Sequence, residues 1–97
     1  MATYHVLYHP KVVSDDIPSL DPTVRRRIKA AIEAKLTIRP QDHAKTLAFT
    51  TQRLWSLRAG PWRIIFALRE EEIWILKIGH RSEVYRDLSG QVAPSGP

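Results

Sequence analysis

Three apolar segments joined by very short connections occupy residues 54–79, and they constrain the fold more than any other feature of the chain. Each segment alternates with a period of two, which is typical of β-strands. Strands joined by so few residues must pair antiparallel. The sequence therefore predicts a meander with strands LWSLR (54–58), WRIIFAL (62–68) and IWILKIG (73–79), connected by AGP (59–61) and REEE (69–72).

The N-terminal half predicts one strand and one or two helices. Residues 3–8 alternate like a strand that ends before Pro10, and residues 11–20 resemble a short helix that Pro18 would interrupt. Asp21-Pro22 is a strong helix start. The helix should end before Pro40, and residues 39–52 lack a clear period and suggest a connecting loop. Its core-facing residues should be Val24, Ile28, Ala31, Ile32 and Leu36.

The resulting order, β-α-α-β-β-β, is typical of an α+β fold in which helices cover one face of a mainly antiparallel twisted sheet. With 97 residues there is room for one domain. We expect that domain at residues 1–89 and a flexible C-terminal tail at 90–97. The absence of cysteine excludes disulfides and thiolate chemistry, and no leader or membrane-span pattern occurs, so a cytoplasmic protein is predicted.

The chain is basic, with a formal net charge of +5, and arginine is prominent among its cations. Guanidinium groups suit bidentate phosphate contacts, which favours a polyanionic partner. Many small basic domains nevertheless bind no nucleic acid, so charge alone leaves both interpretations open.

Strand alternation predicts the face on which each side chain lies. Trp62, Ile64, Phe66 and Leu68 should face the helices, which leaves Arg63 on the uncovered face. Arg58 should lie near Arg63 across the hairpin, and two like charges there favour an anion between them. The alternative is that Glu70, Glu71, Glu72 or Glu83 pairs with these arginines in surface ion pairs.

The polar cluster GHRSEVYRDL follows the last strand directly. By alternation Lys77 should share a face with Ile73, Ile75 and Gly79, whereas the direction of His80 at the strand end is not set. A helix start with a solvated face would also explain this cluster. His5 and His9 lie four residues apart but lack a third ligand, so no metal site is predicted.

The stretches LRAGPWRIIFAL, EEIWILKIGHR and SEVYRDL resemble the RelE/ParE superfamily of bacterial and archaeal toxins, the RelE branch more closely. The resemblance implies a RelE-like, microbial ribonuclease-type fold and a toxin held inactive by a cognate antitoxin, with operator DNA contacted only through that antitoxin. RelE-type toxins enter the ribosomal A site and cleave mRNA there. The ribose 2′-hydroxyl attacks the adjacent phosphate, and no metal or other cofactor is needed.

The resemblance also implies roles for individual residues. Arg63 and Arg58 would stabilise phosphate charge, Arg81 would lie on the leaving-oxygen side, and Tyr85 would stack on a base or transfer a proton. His80 is a candidate general base, because its intrinsic pKa is close to neutral. Arg53 and Lys77 are predicted RNA-backbone contacts. Leu54 and Ser56 stand where RelE toxins carry lysines, which leaves the identity of the base open.

Two other functions remain open from the sequence. A ParE-like inhibitor of DNA gyrase shares the fold, binds a protein and needs no catalytic cluster. A member without catalytic activity would only bind its antitoxin or repress its own operon. The combination of Tyr85 with Arg63 and Arg81 favours the ribonuclease, because a protein that only binds a partner has no need of it.

Overall fold

The computed structural model describes residues 3–47 and 54–84. In this part of the chain a single sheet has the strand order β1-β5-β4-β3-β2. The strands are β1 (His5–Tyr8), β2 (Ala44–Thr46), β3 (Leu54–Ala59), β4 (Trp62–Arg69) and β5 (Glu72–His80). The helices are a π-helical turn (Val12–Asp16), α1 (Pro22–Lys35) and a 3₁₀ turn (Pro40–Asp42).

The predicted α+β architecture is confirmed. β3, β4 and β5 form the antiparallel meander, and β1 adds to β5 in parallel, with His5 opposite Glu72 and Tyr8 opposite Ile75. β4 and β5 lie in the middle of the sheet, as their apolar sequences require. The longest described helix, α1, has 14 residues, and none of the described helices has the length and apolar character of a membrane span.

Helix α1 begins where the sequence places it. The Asp21 carboxylate accepts a hydrogen bond of 2.8 Å from the Thr23 N–H, and Pro22 occupies the first helical position. The main core lies between this helix, the π-helical turn and one face of the sheet. Ile28, Ile32 and Leu36 from the helix side meet Ile64 and Phe66 there, and all five are nearly inaccessible to solvent. Burial of each such side chain stabilises the fold by about 1.5–3 kcal/mol.

The predicted loop at 39–52 is partly wrong. It contains the 3₁₀ turn and also β2, whose three residues pair with β3 so that Ala44 lies opposite Leu57. So short a strand has no readable period, because its conformation comes from pairing with a neighbour. Residues 48–53 lie outside the described part, as do residues 85–97, so the predicted boundary between domain and tail falls outside it too.

The face of the sheet opposite the helices is less open than predicted. Leu54 and Ile65 lie on it, yet they are 1% and 0% exposed, because Val84 and Leu47 pack over them. This second, smaller cluster shows that the segment after β5 returns across the sheet. The chain therefore brings Val84, which belongs to the polar cluster, onto the face that carries Arg63.

Candidate functional site

Two arginines define one corner of the sheet. Arg58 on β3 lies directly opposite Arg63 on β4, and Ala59 lies opposite Trp62, so the connection is the two-residue turn Gly60-Pro61. Gly60 has φ +62°, which glycine adopts without a side-chain clash and which suits the first central position of such a turn. Alternation places both arginines on the face that the helices do not cover, as predicted.

Neither arginine is neutralised within the described residues. Arg63 Nη1 donates hydrogen bonds of 3.3 Å to the carbonyls of Gly60 and Trp62, which turns its guanidinium toward the hairpin. Arg58 is exposed. The ion pairs in residues 3–47 and 54–84 join other side chains, so the predicted alternative of pairing with Glu70, Glu71, Glu72 or Glu83 is not found there. Two adjacent guanidinium groups with no ion-pair partner in the described residues have the chemistry to bind an anion such as phosphate.

Arg81 lies beside this corner. Its backbone N–H donates a hydrogen bond of 2.8 Å to the Pro61 carbonyl, so the turn after β5 is attached to the β3–β4 turn. The Arg81 side chain is exposed. The structure thus brings Arg58, Arg63 and Arg81 to one end of the sheet, although nothing in their sequence spacing requires it.

Gly79 lies opposite Arg63 on β5. A Cβ at this position would lie 3.3 Å from the Val84 Cβ and 3.5 Å from its Cα. Because Gly79 has no side chain, Val84 can pack directly against the backbone of β5. Val84 is 1% exposed, so its side chain is fixed against the sheet at this point.

His80 lies on the other face of the sheet. It is opposite Trp62, whose side chain packs against the main core, and the two rings meet edge to face with centroids 5.5 Å apart. His80 Nδ1 accepts a hydrogen bond of 3.2 Å from the Ser82 N–H and lies 2.9 Å from the Ser82 hydroxyl. In the neutral ring the proton is therefore on Nε2. The structure does not bring His80 together with Arg58 and Arg63 on one face.

Lys77 does not follow its predicted alternation. Phe66 pairs with Ile75 and Ile65 pairs with Lys77, so the register shifts by one residue in a bulge at Leu76. As a result Ile78, not Lys77, shares the core face with Ile75. The Lys77 ammonium lies 3.1 Å from the Asp16 carboxylate, and the Lys77 side chain is only 13% exposed. Of the two predicted RNA contacts, only Lys77 lies in the described residues, and its ammonium faces Asp16. Arg53 lies outside the described residues, as does Tyr85.

Asp16 is the residue that sequence analysis missed. It is 6% exposed, and it is the only charged side chain among the described residues that is this deeply buried. Its partners are more than 60 residues away in sequence, so no local pattern identifies it. Asp16, Lys77 and His80 line an open pocket of about 310 Å³ at the edge of β5, together with Trp62, Glu83 and Val84. No cluster of three potential metal ligands occurs in residues 3–47 and 54–84.

Comparisons with known proteins agree with this fold. The sequence matches the family described as ParE toxin of type II toxin-antitoxin system, parDE, over residues 6–85. None of the curated proteins matches the sequence closely enough to count as a relative.

Three solved structures are similar. A chain of the RelBE2 toxin–antitoxin complex from Mycobacterium tuberculosis has a TM-score of 0.75 and 22% identity, with 86% of this chain and 97% of that chain covered. A chain of the archaeal RelE–RelB complex from Pyrococcus horikoshii has a TM-score of 0.60 and 28% identity, with coverages of 84% and 98%. A free double mutant of Escherichia coli toxin RelE has a TM-score of 0.60 and 16% identity, with coverages of 94% and 99%.

The family match spans most of the chain and includes every strand and helix of the structure except the first residue of β1. The solved structures have the same fold, and each similarity extends over nearly the whole length of the solved chain. The chain belongs to the ParE toxin family and is a toxin of the RelE/ParE superfamily of type II toxin–antitoxin systems.

Proposed function

We propose that this toxin inhibits translation as a metal-independent endoribonuclease that cleaves mRNA on the ribosome. The observation that carries the proposal is the Arg58–Arg63 pair, which lies on the sheet face away from the helices and has no ion-pair partner among the described residues. Arg81 lies beside it. A protein that only binds a partner has no need of three arginines at one end of the sheet. The proposal places the protein in the cytoplasm, where ribosomes are.

The proposed reaction is a transesterification. The 2′-oxygen of one ribose forms a bond to the adjacent phosphorus as the bond from phosphorus to the 5′-oxygen breaks. The 2′-hydroxyl proton passes to a base and the departing oxygen receives a proton, which leaves a cyclic phosphate and a free 5′-hydroxyl. The pentacoordinate intermediate carries additional negative charge, which positioned guanidinium groups stabilise.

Each residue has a defined part in this proposal. Arg63 and Arg58 contact the non-bridging phosphate oxygens, and Arg81 lies toward the leaving oxygen. Tyr85 follows Val84 in sequence and is proposed to stack on a base or transfer a proton. His80 is a candidate base through Nδ1, which carries the lone pair of the neutral ring and would have to exchange its Ser82 contact for the 2′-hydroxyl. Its position on the other face of the sheet means that RNA would have to pass around the end of β5 to reach both groups.

The remaining predicted contacts are peripheral. Arg53 is proposed to contact the RNA backbone beside Leu54. A contact from Lys77 would require its ammonium to leave Asp16, since the two groups are 3.1 Å apart.

The proposed protein partner is a cognate antitoxin. Two of the similar structures are toxin–antitoxin complexes. An acidic antitoxin segment that covers Arg58 and Arg63 would neutralise the two charges and at the same time prevent RNA from reaching them. Operator DNA would then be contacted only through the antitoxin.

Gyrase inhibition is a second candidate, because the matching family is described by the ParE toxin. It differs in a measurable way, since a gyrase inhibitor leaves mRNA intact and blocks DNA supercoiling. A member that only binds its antitoxin would do neither.

The deciding experiment is primer extension on one mRNA after induction of the toxin without its antitoxin. A matched mRNA with a disabled start codon is the control. Cuts confined to the translated mRNA, weakened by Tyr85→Phe, are the expected result. Growth arrest with intact mRNA would contradict the ribonuclease, and loss of supercoiling by purified gyrase would then identify the target.

A further inference from the structure

Among the described residues, no strand lies beside the end of β5 on its outer edge. β1 pairs with β5 only up to Tyr8 and Ile75, and the His9 N–H makes the last backbone bond, 2.9 Å to the Ile75 carbonyl. The chain then turns at Pro10 into the π-helical turn. Residues after Ile75 therefore need another partner for the backbone groups on that edge, since buried N–H groups are nearly always bonded.

Asp16 supplies this partner. Its Oδ2 accepts a hydrogen bond of 3.0 Å from the buried Ile78 N–H, and its Oδ1 accepts one of 3.1 Å from Lys77 Nζ. Both side chains of this ion pair are largely buried, with 6% of Asp16 and 13% of Lys77 exposed. The Asp16 carboxylate thus takes the place of a neighbouring strand at this edge. It also compensates the charge of Lys77, which lines the same pocket.

The two bonded residues directly follow the bulge at Leu76. A bulge reverses which face each later side chain occupies, so its position has to be specified. With the observed bulge, Ile78 enters the core and Gly79 lies opposite Arg63. Without it, Lys77 would point into the core and Ile78 would lie opposite Arg63, which would remove the space that Val84 occupies over Gly79.

We propose that Asp16 is a positioning residue for the toxin's active site, because it holds the bulged register of β5 and thereby places Gly79 and Arg81 beside Arg63 and places His80 on the opposite face. This inference rests on the proposed ribonuclease function. Asp16 touches no substrate in this scheme and acts through residues 77–81. Its location in a short π-helical turn is consistent with a functional role, since such turns are frequent at functional sites.

The test compares Asp16→Ala and Asp16→Asn with Asp15→Ala. Asp15 belongs to the same turn, but it is exposed and its partners, Lys11 Nζ at 3.8 Å and the Ser14 hydroxyl at 3.0 Å, are close to it in sequence, so it is a matched control. The first measurement is the rate of mRNA cleavage at saturating ribosomes. The second is amide hydrogen exchange of residues 77–81 relative to the β3–β4 hairpin.

We expect Asp16→Ala to reduce the cleavage rate about 100-fold, which is typical of a misplaced catalytic group. Exchange should accelerate at residues 77–81 and stay unchanged in the hairpin. Asp16→Asn keeps an oxygen that accepts from the Ile78 N–H, so it should recover part of both signals. Asp15→Ala should behave like the unsubstituted toxin.

Unchanged cleavage in Asp16→Ala would overturn the inference, and so would faster exchange throughout the sheet, because that would mean a general loss of stability. If Asp16→Ala does not fold, the test relies on Asp16→Asn. A wild-type cleavage rate in Asp16→Asn, together with accelerated exchange at residues 77–81, would overturn the positioning role. An unsubstituted toxin that leaves mRNA intact would overturn the proposed function itself. That result is distinct from the others because it requires no variant.

Discussion

Arg58 and Arg63 lie directly opposite each other on adjacent antiparallel strands, and no carboxylate in the described residues pairs with either. Like charges in this arrangement are unfavourable in a folded protein. The arrangement is favourable only when an anion lies against it. Under the proposed function, stability and activity therefore oppose each other at this corner of the sheet.

The first prediction follows from that opposition. Arg58→Gln should raise the free energy of unfolding by ~0.5 kcal/mol, because the opposed positive charge is removed while the side-chain stem is kept. Arg63→Gln should act in the same direction. Each substitution should nevertheless lower the mRNA cleavage rate about 100-fold, as expected when a donor that stabilises transition-state charge is lost. Urea unfolding and cleavage assays on the same preparations measure the two effects.

Arg69→Gln is the matched control. Arg69 is exposed at the opposite end of β4 and lies across from Glu72 rather than from another arginine. We expect cleavage to be unchanged in this variant. Equal losses of cleavage in Arg69→Gln and Arg63→Gln would contradict a local role for the arginine corner.

The second prediction concerns the contact between Gly79 and Val84. Gly79→Ala should lower the free energy of unfolding by about 1 kcal/mol, because the new methyl group would lie 3.3 Å from the Cβ of the buried Val84 and would displace it. Toxicity should fall as well, since residue 84 leads directly to Tyr85. Thermal unfolding and growth assays measure these effects.

A double-mutant cycle with Val84→Ala separates this contact from a general effect of alanine on the strand. The shorter side chain can shift more easily, so Gly79→Ala should cost less in the Val84→Ala background. Strictly additive effects of the two substitutions would show that the contact does not limit stability.

The third prediction is a pH dependence at Tyr8. Burial of the phenol raises its pKa above the ordinary value of 10.0, and the nearby Glu33 carboxylate raises that pKa further. The folded state therefore retains the phenolic proton at a pH where the unfolded chain loses it. The contribution of Tyr8 to stability is complete below pH 10 and is lost as the pH rises through the higher folded-state pKa.

Urea unfolding between pH 8 and pH 12 tests this expectation. Stability should decline less steeply above pH 10 in Tyr8→Phe than in the unsubstituted protein, because phenylalanine does not titrate. Glu33→Gln should move the decline to lower pH. Identical profiles for Tyr8→Phe and the unsubstituted protein would show that other groups, such as lysines, account for the whole dependence.

Sequence by itself determined those parts of the protein that depend on near neighbours in the chain. The meander follows from three period-two segments with short turns, and α1 follows from the Asp21 cap and Pro22. The face of Arg63 also follows from alternation, because β4 is regular where it pairs with β3. These features depend on backbone sterics and on local hydrogen bonds, which a sequence pattern expresses directly.

Only the tertiary structure decided the rest. The parallel pairing of β1 with β5, the three-residue strand β2 and the bulge at Leu76 arise from contacts between distant segments. The bulge makes the predicted face of Lys77 wrong and puts His80 against Trp62, and the carboxylate that holds it, Asp16, is 62 residues away from Ile78. A shift of one residue reverses every later side chain in a strand, so alternation predicts faces only up to the first irregularity.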